Sequence, residues 1–302
     1  MRHLALLLLV TATASGADLR ARIAEIAAEA QGKVSVACSL PGSPLNCDFN
    51  PRAHPPMQSV FKLPLGVTVL HLVEQGKFGL DQTIQFTPAD RIPPPVYSPL
   101  QDKYPNATVD VPLRELLRLA VSLSDNVAAD MLLRLVGGPR VVEAYVKSLG
   151  VPGFRLQDGE AAMHRDNSLQ YRNWWTPEGA VKFLRRLNDR SPLTPEHREL
   201  LFGWMREAPG GAARLKGELP KGTDVAHKTG TSGTHEGVTA AVNDIGLIAL
   251  PDGRRLAIAV FVTDTHADEV SRDNIIARIA RAAWDEVSGG TAGSAPRVYP
   301  AR

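Results

Sequence analysis

Asn243-Asp244-Ile245-Gly246-Leu247-Ile248-Ala249-Leu250, then Pro251-Asp252-Gly253, then Arg255-Leu256-Ala257-Ile258-Ala259-Val260-Phe261-Val262 form one continuous signal. Two apolar runs of strand length flank a turn tripeptide, so the segment reads as a β-hairpin. Beyond it a closing helix is expected, with Val270, Ile275, Ile276, Ile279, Ala283, Trp284 and Val287 largely on one side. The opposite end of the chain has the same components. Asp18 to Ala30 puts Leu19, Ile23, Ile26, Ala27 and Ala30 on one helical face, with Gly32 as a stop. Two strand-like runs follow, Lys33 to Cys38 and Leu45 to Phe49, joined by the turn-rich Leu40-Pro41-Gly42-Ser43-Pro44. Between the two ends, Phe61 to Met205 is mainly helical, interrupted by Pro93-Pro94-Pro95 and a polar stretch from Gln157 to Trp175. Strands at both ends and helices in the middle predict one antiparallel sheet closed from the two ends and covered by the terminal helices. The central segment then forms a helical second lobe. The expected units are a discontinuous α/β lobe of residues 18–60 and 206–288, a helical lobe of 61–205, and a disordered Gly/Ala/Ser-rich tail of 289–302. A ligand site belongs in the cleft between two such lobes.

Composition narrows the function. Of 302 residues, 44% are hydrophobic and 22% charged, the balance of a globular protein with a substantial core. Lys and Arg number 34 against 32 Asp and Glu, a formal charge of +2 that offers no footprint for a phosphate backbone, so no nucleic-acid partner is expected. Arg2-His3 before Leu4 to Val10 and the small residues Ala12-Thr13-Ala14 and Ser15-Gly16-Ala17 reads as a signal peptide over residues 1–17. The apolar run is too short to span a membrane, so a soluble exported protein, periplasmic or secreted, is expected after cleavage. In such a compartment Cys38 and Cys47 could close a disulfide across the strand pair; two independent buried thiols are the alternative. With these two cysteines, eight histidines and no His-Glu-x-x-His, no metal site is expected.

Three short motifs carry chemistry. In Gln58-Ser59-Val60-Phe61-Lys62 a helix beginning near Ser59 would put the hydroxyl and the amine on one face, where the lysine can act as a base toward the serine. Pro64 is at odds with such a start, since it lacks the N–H that a helix interior uses. Ser124-Asp125-Asn126 stands between two helical runs: a serine there can pass a proton to a leaving group, and an asparagine can grip an amide through both donor and acceptor. Taken alone it is a turn or helix cap. Lys228-Thr229-Gly230, followed by Thr231-Ser232-Gly233, offers a cation, hydroxyls and small residues that permit close approach on an edge strand.

In this order, Ser-x-x-Lys, Ser-Asp-Asn and Lys-Thr-Gly resemble the motif set of serine β-lactamases and penicillin-binding proteins, over nearly the whole mature chain. Class A β-lactamases add a deacylating Glu on an Ω-shaped loop between the second and third motifs, and Glu160 occupies that interval. The common Glu-x-x-Leu-Asn is replaced by Glu160-Ala161-Ala162-Met163-His164, which is similar to the PER/VEB-type extended-spectrum branch, as is Gln170-Tyr171-Arg172-Asn173-Trp174. An altered Ω-loop and a roomier cavity are the implication, with His164 holding the water in place of the missing Asn.

The resemblance implies roles residue by residue. Ser59 is the nucleophile; Lys62, or Glu160 through a water, takes its proton; Ser124 protonates the leaving nitrogen; Glu160 activates the deacylating water. The backbone N–H groups of Ser59 and Thr231 form the oxyanion site, flanked by Gln58. Lys228, Thr229, Gly230 and Thr231 bind the substrate carboxylate with support from Arg214; Asn126 binds the side-chain amide, and Tyr97 walls the cleft. No cofactor is required, the partner is a small β-lactam, and a monomer is the family's expectation. A D,D-peptidase, or a non-catalytic β-lactam sensor, is the alternative on the same motifs.

Overall fold

The structure is a computed structural model that describes residues 15–289. The expected leader and tail fall, except for residues 15–17 and Gly289, outside the described residues. Helix α1 (Ser15–Ala28) leads into β1 (Lys33–Ser39), and a 3-10 turn at Gln58–Phe61 runs directly into α2 (Lys62–Glu74). Next come β2 (Thr83–Phe86), α3 (Pro99–Lys103), β3 (Val109–Pro112), α4 (Leu113–Val121), α5 (Asn126–Val136) and α6 (Pro139–Ser148). Strand β4 (Phe154–Arg155) precedes the polar stretch, which is itself built from α7 (Glu160–Arg165), a 3-10 segment at Asn167–Arg172 and β5 (Trp174–Trp175). Helices α8 (Pro177–Asp189) and α9 (Pro195–Glu207) precede β6 (Val225–Thr231), β7 (Thr234–His235), β8 (Val238–Ala249), β9 (Arg255–Thr265) and α10 (Glu269–Ser288).

The hairpin signal folds as β8 and β9, paired from Thr239↔Thr265 to Ala249↔Arg255, with Gly253 at φ 83° supplying the left-handed turn position. Antiparallel pairing gives the sheet order β1-β9-β8-β6, with β7 on β8. The first strand of the chain thus lies against the last, Lys33↔Thr263 through Ser39↔Ala257, which closes the two ends into one sheet. Because side chains alternate along a strand, β9 serves two cores at once. Leu256, Ile258, Val260 and Val262 pack with Ile23 and Ile26 of α1 and Ile275, Ile276 and Ile279 of α10. Ala257, Ala259 and Phe261 face the helices of the central segment. Each large aliphatic side chain so buried contributes about 1.5–3 kcal/mol. The inner sheet face shares its core with α2, α4 and α5, and α8 lies on β1 and β9, so apolar packing runs uninterrupted across the cleft's floor.

Three local expectations change. Leu45 to Phe49 is not a strand: Val36 and Phe49 exchange two backbone bonds of 2.7 and 3.1 Å, and turns around Ser43 and Asn46 take the rest of the segment out of register. Val270 is 79% exposed, because it lies in the first turn of α10, ahead of the part that meets the sheet. The helix does not begin at Ser59. The 3-10 turn absorbs Ser59 and α2 begins at Lys62, so Pro64 falls in the first turn, where its missing N–H has no helical acceptor to lose. The structure joins Cys38 to Cys47 by a disulfide that ties the connector to β1, with Cα atoms 5.8 Å apart.

Candidate active site

Residues from four elements line a cavity of about 270 Å³: Gln58 and Ser59 from the 3-10 turn, Ser124 and Asn126 at the head of α5, Glu160 at the head of α7, and Thr229 and Thr231 on β6, with Tyr97 at the rim. Each element is held where it is by an identifiable contact. Gly230 keeps β6 against the nucleophile turn, since a Cβ there would sit 2.4 Å from the Met57 carbonyl oxygen. Asp125 is fully buried and its carboxylate accepts from Ala128 N (2.9 Å), Leu100 N (2.7 Å) and the Ser98 hydroxyl (2.8 Å). It therefore caps α5 and fastens the Tyr97 loop to the second motif in one step. Two non-glycine residues that border the cavity, Gln58 and Ser124, have φ of 48° and 60°. Such backbone costs about 1–3 kcal/mol apiece and persists where surrounding contacts over-determine it.

Lys62 is completely buried; its ammonium donates to the Ser124 carbonyl at 2.7 Å and to Asn126 Oδ1 at 2.5 Å, and is ion-paired with Glu160 Oε1 at 2.9 Å. Two of its three N–H bonds are thus committed to acceptors other than Ser59. The Ser59 hydroxyl instead donates toward Glu160 Oε1 at 3.5 Å. Glu160 is only 8% exposed, far from a solvated loop carboxylate. Lys228 is buried beneath the cavity and donates to Ser124 Oγ and to the Thr229 carbonyl, both at 3.0 Å. Burial, and next the Lys62 charge, push its amine down to about 7, with Arg214 adding to the fall and Asp244 and Glu160 opposing it.

Several expected residues stand elsewhere. Gly230 serves the packing of β6 on Met57 and Val60 and does not line the cavity. Asn126 lines the cavity with its Oδ1 already accepting one bond from Lys62 Nζ at 2.5 Å. Arg214 is buried with its Nε on Asp273 of α10 (2.7 Å) and its NH1 on the Asn243 carbonyl (3.2 Å), not among the cavity's lining residues. His164 is also absent from that lining, since α7 presents its first residue to the cleft and His164 lies at the far end. Gln170 is nearer the chemistry: its Oε1 accepts from Gln58 Nε2 at 2.5 Å, tying the residue before the nucleophile to the Ω segment.

Two residues that the motifs leave out hold the Ω segment. Asn173 is fully buried; its side chain accepts from Gln157 N and Asp158 N and donates to the Asp158 carbonyl, while its own carbonyl accepts from Met57 N. Asp130 of α5 accepts from Glu160 N and Ala161 N, both at 2.7 Å. A charged residue among the buried Val127, Ala128, Ala129, Met131 and Leu132 is a visible signal; Asn173 has none.

Comparison with known proteins agrees with this geometry. The model of the β-lactamase enzyme family matches residues 18–287. The chain is 44% identical over 236 residues to the extended-spectrum β-lactamase PER-1 of Pseudomonas aeruginosa, covering 78% of this chain and 76% of that protein. With β-lactamase VEB-1 of the same organism it shares 38% over 243 residues, covering 80% and 79%. A β-lactamase structure from Chitinophaga pinensis superposes with a TM-score of 0.85 at 42% identity, over 89% of this chain and 98% of that one. The TLA-1 extended-spectrum β-lactamase gives 0.88 at 36%, over 91% and 100%. A sheet closed from both chain ends, a buried Ser-x-x-Lys turn facing a loop glutamate, and these relatives together establish that the chain belongs to the class A serine β-lactamases.

Proposed function

We propose that the protein hydrolyses the β-lactam amide of penicillins and cephalosporins through an acyl-enzyme on Ser59, and that Glu160 is the base in both halves of the reaction. The observation that carries this is the position of Glu160 Oε1, in reach of the Ser59 hydroxyl and braced by Lys62. In acylation Ser59 Oγ attacks the lactam carbonyl while its proton passes to Glu160, and the oxyanion is received by the backbone N–H groups of Ser59 and Thr231. The C–N bond then breaks, and Ser124 donates its hydroxyl proton to the departing nitrogen, with Lys228 at 3.0 Å as the source that restores it. Glu160 then gives up to solvent the proton it took from Ser59 while Lys228 regains one. In deacylation the ionised Glu160 takes a proton from water, the hydroxide adds to the ester carbonyl, and the C–O bond breaks as that proton passes from Glu160 to Ser59 Oγ.

The hydroxyls of Thr229 and Thr231 at the cavity wall, with Lys228 beneath, suit a substrate carboxylate. Arg214 contributes through its field on Lys228. Asn126 Nδ2 remains available for a side-chain carbonyl, and the exposed Tyr97 ring closes one side. PER-1 and TLA-1 are named as extended-spectrum enzymes; their likeness, with the departure from Glu-x-x-Leu-Asn, supports bulky oxyimino-cephalosporins as substrates here. The leader read in residues 1–17 would deliver a soluble, monomeric enzyme outside the cytoplasm, where the drug is met and resistance arises.

Steady-state hydrolysis by the purified chain tests the reading. Benzylpenicillin and an oxyimino-cephalosporin should both turn over, with kcat on the order of 1–1000 s⁻¹ for the better one. An acyl-enzyme that persists for hours would contradict hydrolysis and favour a peptidase.

A further inference from the structure

We propose that Asp244 is a positioning residue for the substrate carboxylate, acting through Lys228: held by His227 on the sheet face away from the cavity, it is the buried counter-charge that keeps the Lys228 ammonium cationic. The inference rests on the hydrolase reading above. Two of the buried cations near β6 have a carboxylate of their own, Lys62 with Glu160 at 2.9 Å and Arg214 with Asp273 at 2.7 Å. Lys228 is buried too, yet among the described residues it has no carboxylate within ion-pair distance. Its two acceptors, Ser124 Oγ and the Thr229 carbonyl, are neutral. An ammonium out of water is costly unless an opposite charge lies near.

Asp244 is the matching carboxylate. It is fully buried in β8, directly across from Thr229 of β6, and His227 Nδ1 stands 2.9 Å from both of its oxygens. Leu215 N adds a bond of 3.3 Å. One proton on Nδ1 satisfies the pair. A second, on Nε2, would find no acceptor, since that nitrogen is buried without a partner among the described residues. The pair therefore holds one net negative charge. Two glycines make room for the imidazole: a Cβ on Gly246 would come within 2.9 Å of His227 Cβ, and one on Gly211 within 3.4 Å of its Cε1.

Alternation along the strands sends Lys228 to one face of the sheet and His227 and Asp244 to the other. Ala226 marks the inner face, and Val225, Val242 and Ile248 the outer. The field of Asp244 thus reaches Lys228 through protein rather than water, where screening is weak. The charged side chains acting on Lys228 are Lys62 from α2, Asp244 from β8, Glu160 from α7 and Arg214 from the segment before β6. Burial first and Lys62 second push its amine down to about 7, and Asp244 is foremost of the two carboxylates that oppose the fall. Without the Asp244 charge the ammonium gives up its proton at lower pH, and the substrate carboxylate loses its cation sooner as pH rises.

Asp244→Asn separates the charge from the shape. The amide oxygen can still accept from Leu215 N, and the NH₂ can donate to Nδ1 with the imidazole in its other tautomer. The alkaline limb of kcat/KM for benzylpenicillin should move down by about one pH unit, a loss of about tenfold at pH ~8 with little change at pH ~5.5. In a Lys228→Arg background, where the guanidinium stays charged throughout this range, the same substitution should leave the profile unmoved. Melting temperature establishes that each variant is folded. A folded Asp244→Asn with the alkaline limb of the unmodified chain overturns the inference, as does an equal shift in the Lys228→Arg background. Should Asp244→Asn not fold, His227→Phe takes its place: stripped of its donor, the buried carboxylate takes up a proton and the limb should move the same way, and an unmoved limb overturns the inference. If the unmodified chain fails to hydrolyse benzylpenicillin, the hydrolase reading falls, and this inference with it; a hydrolase whose limb does not respond loses this inference alone.

Discussion

Lys228 shows how far a single side chain can depart from the part its sequence suggests. Lys-Thr-Gly promises a cation beside a substrate carboxylate, yet the ammonium is buried beneath the cavity, near Lys62 and Arg214, and its proton is loosely held, at about 7. A lysine is charged below its pKa and neutral above it. In the free enzyme the cation is thus present at acid to neutral pH and is lost as pH rises through about 7. We expect kcat/KM for carboxylate-bearing penicillins to decline above that point, since this ratio reports the free enzyme. A profile flat to pH 9 would contradict this. The residues named by the three motifs and by the loop glutamate do meet, because their spacing reflects chemistry performed at one point. Asp130 and Asn173 escape such a reading for a physical reason. Their partners are backbone groups, which carry no residue identity, and those of Asp130 lie 30 and 31 positions away.

At the scale of elements, the site is a meeting of segment ends. Strand β6, the 3-10 turn at Gln58–Phe61, the head of α5 and the head of α7 each deliver one or two groups, and the distances between them are set by packing. Gly230 is the tightest of these joints, with the Met57 carbonyl where its Cβ would be. Gly230→Ala should therefore cost about 1–3 kcal/mol of stability, read as a lower denaturant midpoint, and should depress activity by parting β6 from Ser59. Unchanged stability would mean that the turn yields easily. The hairpin, terminal helices and central helices were legible because apolar periodicity and turn residues act locally. What was not legible is α7 inside the polar stretch Gln157 to Trp175, and the short β4–β5 pair that closes it. Those elements are stabilised by Asn173, Asp130 and the buried Trp175 rather than by any pattern of their own. The segment from Leu45 to Phe49 erred the other way: its residues favour a strand, but local turns leave it a single bridge to Val36.

For the whole molecule, one sheet works on both sides. Its outer face is sealed by α1 and α10 and its inner face is continuous with the core of the helical lobe, so the cleft lies over a floor that has no seam. Such a foundation can hold Gln58 and Ser124 in left-handed backbone and keep Lys62, Glu160 and Lys228 out of water. In the proposed mechanism Glu160 is the residue that separates turnover from a trapped acyl-enzyme. Intact-protein mass spectrometry on Glu160→Gln mixed with benzylpenicillin therefore tests the account at its centre. The account predicts that turnover falls by about 100-fold or more, that acylation slows with the loss of the base, and that the covalent adduct on Ser59, once formed, persists. No adduct and undiminished turnover would contradict it.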